Sequence, residues 1–195
     1  MPTSASGSSG AASGSAPGSG RKRPGGRLSA DQRRAELLAA AIVEFAEAGY
    51  HAARTADIAA RAGVSQPYVY ALFPDKRSLF LACHDATIER IKESIEKATA
   101  DTAEEGDFGR TFDRAYLALF NEQPHQVLFQ VQAHAAATAD PVIRTPVRAR
   151  FIELIELCER LHDAPRDLVL SHVGRAMLGN VALALDLPPE YRPAP

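Results

Sequence analysis

Features that mark membrane, secreted or catalytic chains are scarce in this sequence of 195 residues. No run of about 18 apolar residues exists, so a membrane span is not expected. Small residues near the N-terminus resemble a signal-cleavage site, but no apolar core precedes them, so secretion is not supported. The two cysteines, Cys83 and Cys158, fall inside amphipathic helical patterns. They read as buried thiols of a reducing cytoplasm rather than a disulfide framework, and a cytoplasmic location follows. There is no Gly-x-Ser-x-Gly elbow, phosphate-binding glycine loop or paired-cysteine zinc motif. Cys158 and His162 stand four apart on an expected helix, yet further ligands at suitable spacing are lacking. The expectation is therefore a non-enzyme that needs no cofactor and no metal.

Charge of either sign is absent from residues 1–20, which comprise seven Ser, five Gly, four Ala, two Pro, one Thr and one Met. So little apolar side chain cannot offset the entropy of ordering, and a flexible tail is expected. The net charge of −2 conceals an asymmetry: residues 21–80 carry ten Lys/Arg against six Asp/Glu, leaving the rest at −6. A basic end on an acidic body suits a polyanion partner at one end only. Residues Arg21-Lys22-Arg23-Pro24-Gly25-Gly26-Arg27 form a short basic arm, readable either as a contact to phosphates or a minor groove, or as a solubilising linker.

Ordered structure is expected from Ser29. Ser29 and Gln32 have capping-box spacing. Leu37, Leu38, Ala41, Ile42, Phe45 and Ala46 recur at helical spacing, in a first helix ending at Gly49. A short second helix turns Ile58, Ala59 and Ala62 inward and stops at Gly63. Ala62-Gly63-Val64-Ser65 makes a tight turn, with Ser65 capping a third helix from Gln66 to about Leu72. Pro74-Asp75 then opens a long fourth helix to about Ala98. Further helices are expected near 107–121, 124–138, 140–162 and 165–185, with an irregular Pro-rich tail, and no convincing strand appears. The fold class is all-α. The spacing of the second and third helices is that of a helix-turn-helix, in which the second member enters the major groove of DNA while the first braces it.

Gly49-Tyr50, Asp57-Ile58-Ala59, Ala62-Gly63-Val64-Ser65, Tyr70, Phe73, Lys76 and Leu79, with Leu37, Ala41 and Phe45 upstream, fall at intervals that resemble the TetR (tetracycline-repressor-like) family of bacterial regulators. The resemblance covers roughly residues 30–80 and implies a three-helix DNA-binding head joined by a long helix to a C-terminal ligand-binding and dimerisation body. The implied divisions are tail and arm 1–28, head 29–80, body 81–187 and irregular tail 188–195. Carried over position by position, the resemblance implies that Ser65 caps the recognition helix and touches a phosphate. It also implies that Gln66, Pro67, Tyr68 and Ala71 face base edges, and that Tyr70 and Lys76 reach phosphates. Gln66 can bond an adenine edge at two points, whereas Pro67 and Tyr68 offer apolar surface to a thymine methyl.

Two positions depart from the family. Arg54 stands where a capping Ser or Thr is usual, so either Thr55 takes over the cap or Arg54 meets a phosphate instead. Pro67 replaces a usual glycine. Both leave the fold intact but prevent any operator sequence from being borrowed.

In the body, Phe108, Phe112, Tyr116 and Phe120 share one helix face, and Phe129, Gln130 and His134 follow on the next helix. By analogy with the family they line a pocket for an unknown small apolar effector; the alternative is a ligand-free bundle core. Val142, Val147, Phe151, Ile155, Cys158 and Leu161 form one apolar stripe. A second comprises Leu170, Val173, Met177, Val181 and Leu185, widened by Leu168, Val169, Leu178, Ala182 and Leu183. Gly174, Gly179 and Ala182 would allow close helix approach. Two copies are expected to associate through about 140–185.

The function expected is a homodimeric DNA-binding transcription regulator, a repressor released from a near-palindromic operator by a small apolar effector. The alternatives are a ligand-independent architectural or activating DNA-binding protein, and a helical enzyme or interaction module whose helix-turn-helix has lost DNA binding.

Overall fold

Local capping chemistry starts the fold where the sequence places it. Ser29 Oγ accepts the Gln32 amide at 3.1 Å and the Gln32 side chain accepts the Ser29 amide at 2.9 Å, which closes the capping box at the head of α1, Ala30–Ala52. The computed structural model describes residues 29–101 and 107–192, so the expected tail and basic arm at 1–28 lie outside the described residues. α2 is Thr55–Arg61, α3 Gln66–Leu72 and α4 Lys76–Asp101. The body adds α5 Phe108–Glu122, α6 Pro124–Ala139, α7 Pro141–His162 and α8 Arg166–Ala184, followed by a 3₁₀ turn at Pro189–Tyr191. No strand occurs among the described residues.

Two glycines carry the backbone where other residues would strain. Gly49 has φ 76° and ψ 168°, so α1 is interrupted one turn before its end, in a region essentially reserved for glycine. Gly63 has φ 65° in the turn after α2, with open space where a Cβ would stand. The sequence-based end of the first helix at Gly49 is thus the true break, and the turn beyond it belongs to a second short segment.

One apolar cluster ties the first three helices to the rest. It runs from Leu37, Ala41 and Phe45 of α1 through Ile58, Val69 and Phe73 to Leu79 and Phe80 of α4. It then continues without a break into Phe129, Ala133 and Ala136 of α6 and Ile143 and Val147 of α7. The α1–α6 face is the most extensive helix pairing. At its centre Phe80 meets Phe45 edge-on at 5.0 Å and Phe129 at 5.1 Å. Polar links follow the same seam. His125 of α6 lies 3.5 Å from Glu47 of α1, and Glu47 holds Arg61 of α2 at 2.6 Å.

A second cluster fills the body with Ile88, Ile91 and Ile95 of α4, Phe108, Phe112 and Leu119 of α5, and Val169, Val173 and Ala176 of α8. Here the stripes expected on the last two helices divide. Val147, Cys158 and Val173 are buried, while Val142, Leu168, Leu170, Leu178, Val181 and Leu185 are exposed, as is Ile152 outside the expected stripe. Helix α8 is apolar on nearly all sides, so one flank packs inward through Val169, Val173, Gly179 and Ala182. The other presents Leu170, Leu178 and Val181 beside Gly174.

Inside α4, His84 is buried, and its imidazole is pushed from the ordinary 6.5 down to about 4, chiefly by loss of hydration, with His134 of α6 and Arg150 of α7 adding like charge. Unfolded chains protonate this group as pH falls through 6.5, whereas the folded protein resists until about 4. Stability is therefore complete above pH 6.5 and declines from there towards pH 4, by on the order of 3 kcal/mol. Urea midpoints measured across that window should fall with acid, and His84→Gln should flatten most of the slope. His134 and His162, also lowered by burial, contribute with the same sign. An unchanged slope in His84→Gln would assign the effect elsewhere.

Candidate nucleic-acid interface

The α2–turn–α3 unit is held by residues whose spacing in sequence is local. The Ala62 and Val64 amides bond back to the Ile58 and Ala59 carbonyls at 2.9 Å each, which folds the chain over Gly63. Ser65 Oγ then accepts the Tyr68 amide at 3.4 Å and supplies the expected cap of α3. Pro67 sits in the first turn, where no amide partner is lost. Val69 and Phe73 anchor the inner face. Gln66, Pro67, Tyr70 and Ala71 are exposed on the outer one, with Tyr68 half-buried.

The helix-two cap is not the Thr55 cap that the sequence offered as one alternative. Arg54 occupies the cap position without a side-chain cap bond; its guanidinium lies 4.0 Å from Asp57. Thr55 is buried and does not cap. Its hydroxyl instead joins the Tyr70 hydroxyl at 2.9 Å and accepts the Gln66 side-chain amide at 2.8 Å. The two members of the helix pair are thus cross-braced by a three-residue polar bridge. Sequence spacing gave no signal for it, because the partners lie 11 and 15 residues apart.

Lys76, at the start of α4, also has internal work. Its ammonium donates to the His51 and Ala53 carbonyls at 3.0 and 3.1 Å, satisfying acceptors left free at the end of α1, and sits 5.1 Å from the Tyr50 ring. Arg34 of α1 stacks over Phe73 at 4.7 Å, beside the end of α3.

The pocket residues expected in the body separate into three places. Phe112, Tyr116 and Phe120 line a cleft of about 140 Å³ between α5 and α8, floored by Ala176, Gly179 and Ala182 and rimmed by Asp113, Arg175 and Arg192. His134 lines a different, more open cleft of about 590 Å³ with Val147, Arg148, Phe151 and Met177. Phe108 and Phe129 line neither cleft and are core residues, Phe129 within the Phe45–Phe80 cluster. Gln130 is buried behind the first cleft and donates to the Tyr116 hydroxyl at 3.4 Å. That hydroxyl donates in turn to Asn180, and burial raises its pKa to about 12. Asn180 was not anticipated, although a lone amide in the apolar run of α8 is a legible signal.

A protein-family model described as bacterial regulatory proteins, tetR family, matches residues 37–83, the head and the beginning of α4. Over 176 residues the chain is 31% identical to the HTH-type transcriptional activator FasR of Mycolicibacterium smegmatis (strain ATCC 700084 / mc(2)155), spanning 86% of this chain and 75% of that protein. This chain belongs to the TetR family. As a TetR-family protein it is a DNA-binding transcriptional regulator. Solved TetR-type structures share its all-helical fold. A putative TetR-family regulator from Rhodococcus sp. superposes with a TM-score of 0.63 at 18% identity, over 81% of this chain and 90% of that one. The FadR regulator from Bacillus subtilis, solved in complex with stearoyl-CoA, gives 0.62 at 15% identity, over 78% and 87%.

Proposed function

We propose that this TetR-family regulator binds a near-palindromic operator as a homodimer and that an apolar effector in its body shifts the separation of its two heads. The observation that carries the reading is the outer face of α3, where Gln66, Pro67, Tyr70 and Ala71 are exposed on a rigidly braced helix. In this reading Gln66, Pro67, Tyr68 and Ala71 meet base edges. Ser65, Tyr70 and Arg54 face phosphates, Thr55 positions Tyr70 and Gln66, and Lys76 fixes the backbone from which they project. Residues 29–80 act as the reading head and 81–187 as the sensing and dimerising body, with the shared α1–α6 core as the joint. A cytoplasmic location accompanies this role.

Selection from a random DNA library is the direct test. The expected result is enrichment of paired half-sites about one turn, ~34–36 Å, or somewhat more apart; failure to enrich any sequence would refute the reading. Within the enriched site, Gln66→Ala should relax preference at one base position. Lys76→Ala should weaken binding to all sequences, because the α1 end it secures is lost, and should cost on the order of 1.5–3 kcal/mol in urea unfolding.

Support for the dimer comes from the exposed apolar flank of α8, Leu170, Leu178 and Val181 beside Gly174, and from the exposed Ile152 on α7. Sedimentation at micromolar concentration should give twice the chain mass, and a monomer would refute it. The Phe112–Tyr116–Phe120 cleft suits an apolar effector, with Gln130 and Asn180 as polar anchors behind Tyr116. Since one structural neighbour was solved with stearoyl-CoA, a long-chain acyl thioester is the first probe to use. It should raise the melting temperature and release the operator, and no thermal shift with acyl thioesters of several lengths would refute that class.

For the regulatory sign, release from the operator on effector binding defines a repressor. The second reading is activation, and it is favoured by the name of the M. smegmatis relative. Footprints overlapping the promoter core support repression; footprints upstream of it support activation.

A further inference from the structure

Two clefts open on the body, and they lie against different cores. The cleft proposed for the effector is walled by Phe112 and Ala176 of the body cluster. The more open cleft, of about 590 Å³, is lined by Ala137 and Val147, which belong to the cluster shared with the head, and by Phe151 and Met177, which pack against the body cluster. It therefore sits on the seam between the two cores, among α6, α7 and α8. Its volume falls in the range of small-molecule sites, roughly 300–1,000 Å³.

The wall is apolar, and the charge at its rim has one sign. Phe151 supplies a ring, with the His134 imidazole edge-on to it at 5.7 Å, and Met177 brings a polarisable thioether. Flat aromatic groups pack well on such a surface, through ring edges and sulfur. Arg144 and Arg148 line the same cleft, and no Asp or Glu does. Arg144 is held on the end of α6, where Nε donates to the Ala137 carbonyl at 2.8 Å and Nη2 to the Thr138 carbonyl at 2.7 Å. Its Nη1 remains for another acceptor. Arg148 follows one turn along α7 and is exposed. Arg150 nearby is answered by Asp85, Glu89 and Glu153, whereas Arg148 has no carboxylate partner among the described residues. None of Leu170, Leu178 and Val181, the flank proposed to pair two copies, lines the cleft. Two arginines without an internal counter-charge, over an aromatic and thioether wall, complement a ligand that is apolar at one end and anionic at the other.

We propose that this cleft is a second ligand site, for an aromatic carboxylate whose ring rests on Phe151 and Met177 and whose carboxylate meets Arg148 and Arg144. It is separate from the Phe112–Tyr116–Phe120 cleft and holds whether or not that cleft takes an effector. A ligand here touches the core that carries the head, so any difference in its affinity between two head positions shifts their balance.

The chain contains two methionines, Met1 and Met177, so the full chain labelled with carbon-13 at the methionine methyls reports the cleft through one resonance, that of Met177. The probe is 2-naphthoate, and the control is its uncharged counterpart, 2-naphthamide. Titration with 2-naphthoate should move the Met177 methyl to saturation. The amide should bind about tenfold or more weakly, and so should 2-naphthoate to Arg148→Glu, since a charge-assisted hydrogen bond is lost in each case. Arg148 is exposed, so the variant should keep its melting temperature in the absence of ligand. Asn121→Trp, which narrows the Phe112–Tyr116–Phe120 cleft from its exposed rim, should leave the titration unchanged. Equal binding of the amide, or undiminished binding by Arg148→Glu, would show an apolar surface without anion recognition and overturn the site. A titration abolished by Asn121→Trp would place the ligand in the other cleft and overturn it as well. A Met177 methyl that follows protein concentration and ignores 2-naphthoate would give the cleft to a second copy of the chain, which also overturns the ligand.

Discussion

Phe129→Ala is expected to destabilise the protein by about 3–5 kcal/mol, a large fraction of the 5–15 kcal/mol that holds a typical domain together. Phe129 is fully buried and touches the rings of Phe45 on α1 and Phe80 on α4. Its removal therefore leaves a void at the meeting point of three helices. Refilling that void would require α1 and α6 to approach, and their pairing is already the most extensive among the described helices. The measurement is urea unfolding at a fixed chain concentration, because association would shift the midpoint independently. DNA affinity should fall in parallel although Phe129 is far from the outer face of α3. A variant that keeps both stability and affinity would show that the joint is not the shared core described above.

Gly49→Ala should be the next most damaging single change, costing about 1–3 kcal/mol from backbone strain alone. The φ of 76° with ψ of 168° excludes a side chain, and a Cβ there would stand 3.0 Å from the Gln132 side-chain oxygen on α6. The strain falls between the main body of α1 and the terminal turn whose carbonyls Lys76 holds. Gly63→Ala provides the control. Its φ of 65° is similar, but nothing lies within 4 Å of the added carbon, so its cost should be the smaller of the two. Thermal melts of the two variants in the same buffer rank them, and a milder Gly49→Ala would show that α1 and α6 can move apart at that point.

How far the sequence alone leads depends on the range of each interaction. The Ser29–Gln32 box, the turn at Gly63 and the Ser65 cap close within a few residues, so residue type and spacing specify them. Helix limits follow for the same reason, since Asp107, Gln123-Pro124, Asp140-Pro141 and Pro165 stand at or just before helix starts. The choice of partner for a buried face is another matter. A period of 3.6 shows that Phe129 and His134 lie on α6, but not that one meets α1 and α4 while the other lines a cleft with α7 and α8. On α8, whose apolar residues spread over most of its circumference, periodicity cannot separate the inward Val173 from the outward Leu170. The Thr55–Tyr70–Gln66 bridge joins two helices across a turn and depends on the angle between them, which no local rule supplies.

That bridge has a consequence for discrimination between bases. Gln66 spends one of its amide N–H groups on Thr55. While that bond holds, the base-reading role proposed for Gln66 rests on its carbonyl oxygen, an acceptor, and on its one remaining N–H, in an orientation that Thr55 fixes. An acceptor selects a base edge that donates, and in the major groove only the adenine N6 and cytosine N4 amino groups do so. The second amide N–H stays available, so a two-point adenine contact survives only in the side-chain orientation that the Thr55 bond allows. Swapping in Thr55→Val should therefore widen the choice of base at that position before it weakens the fold.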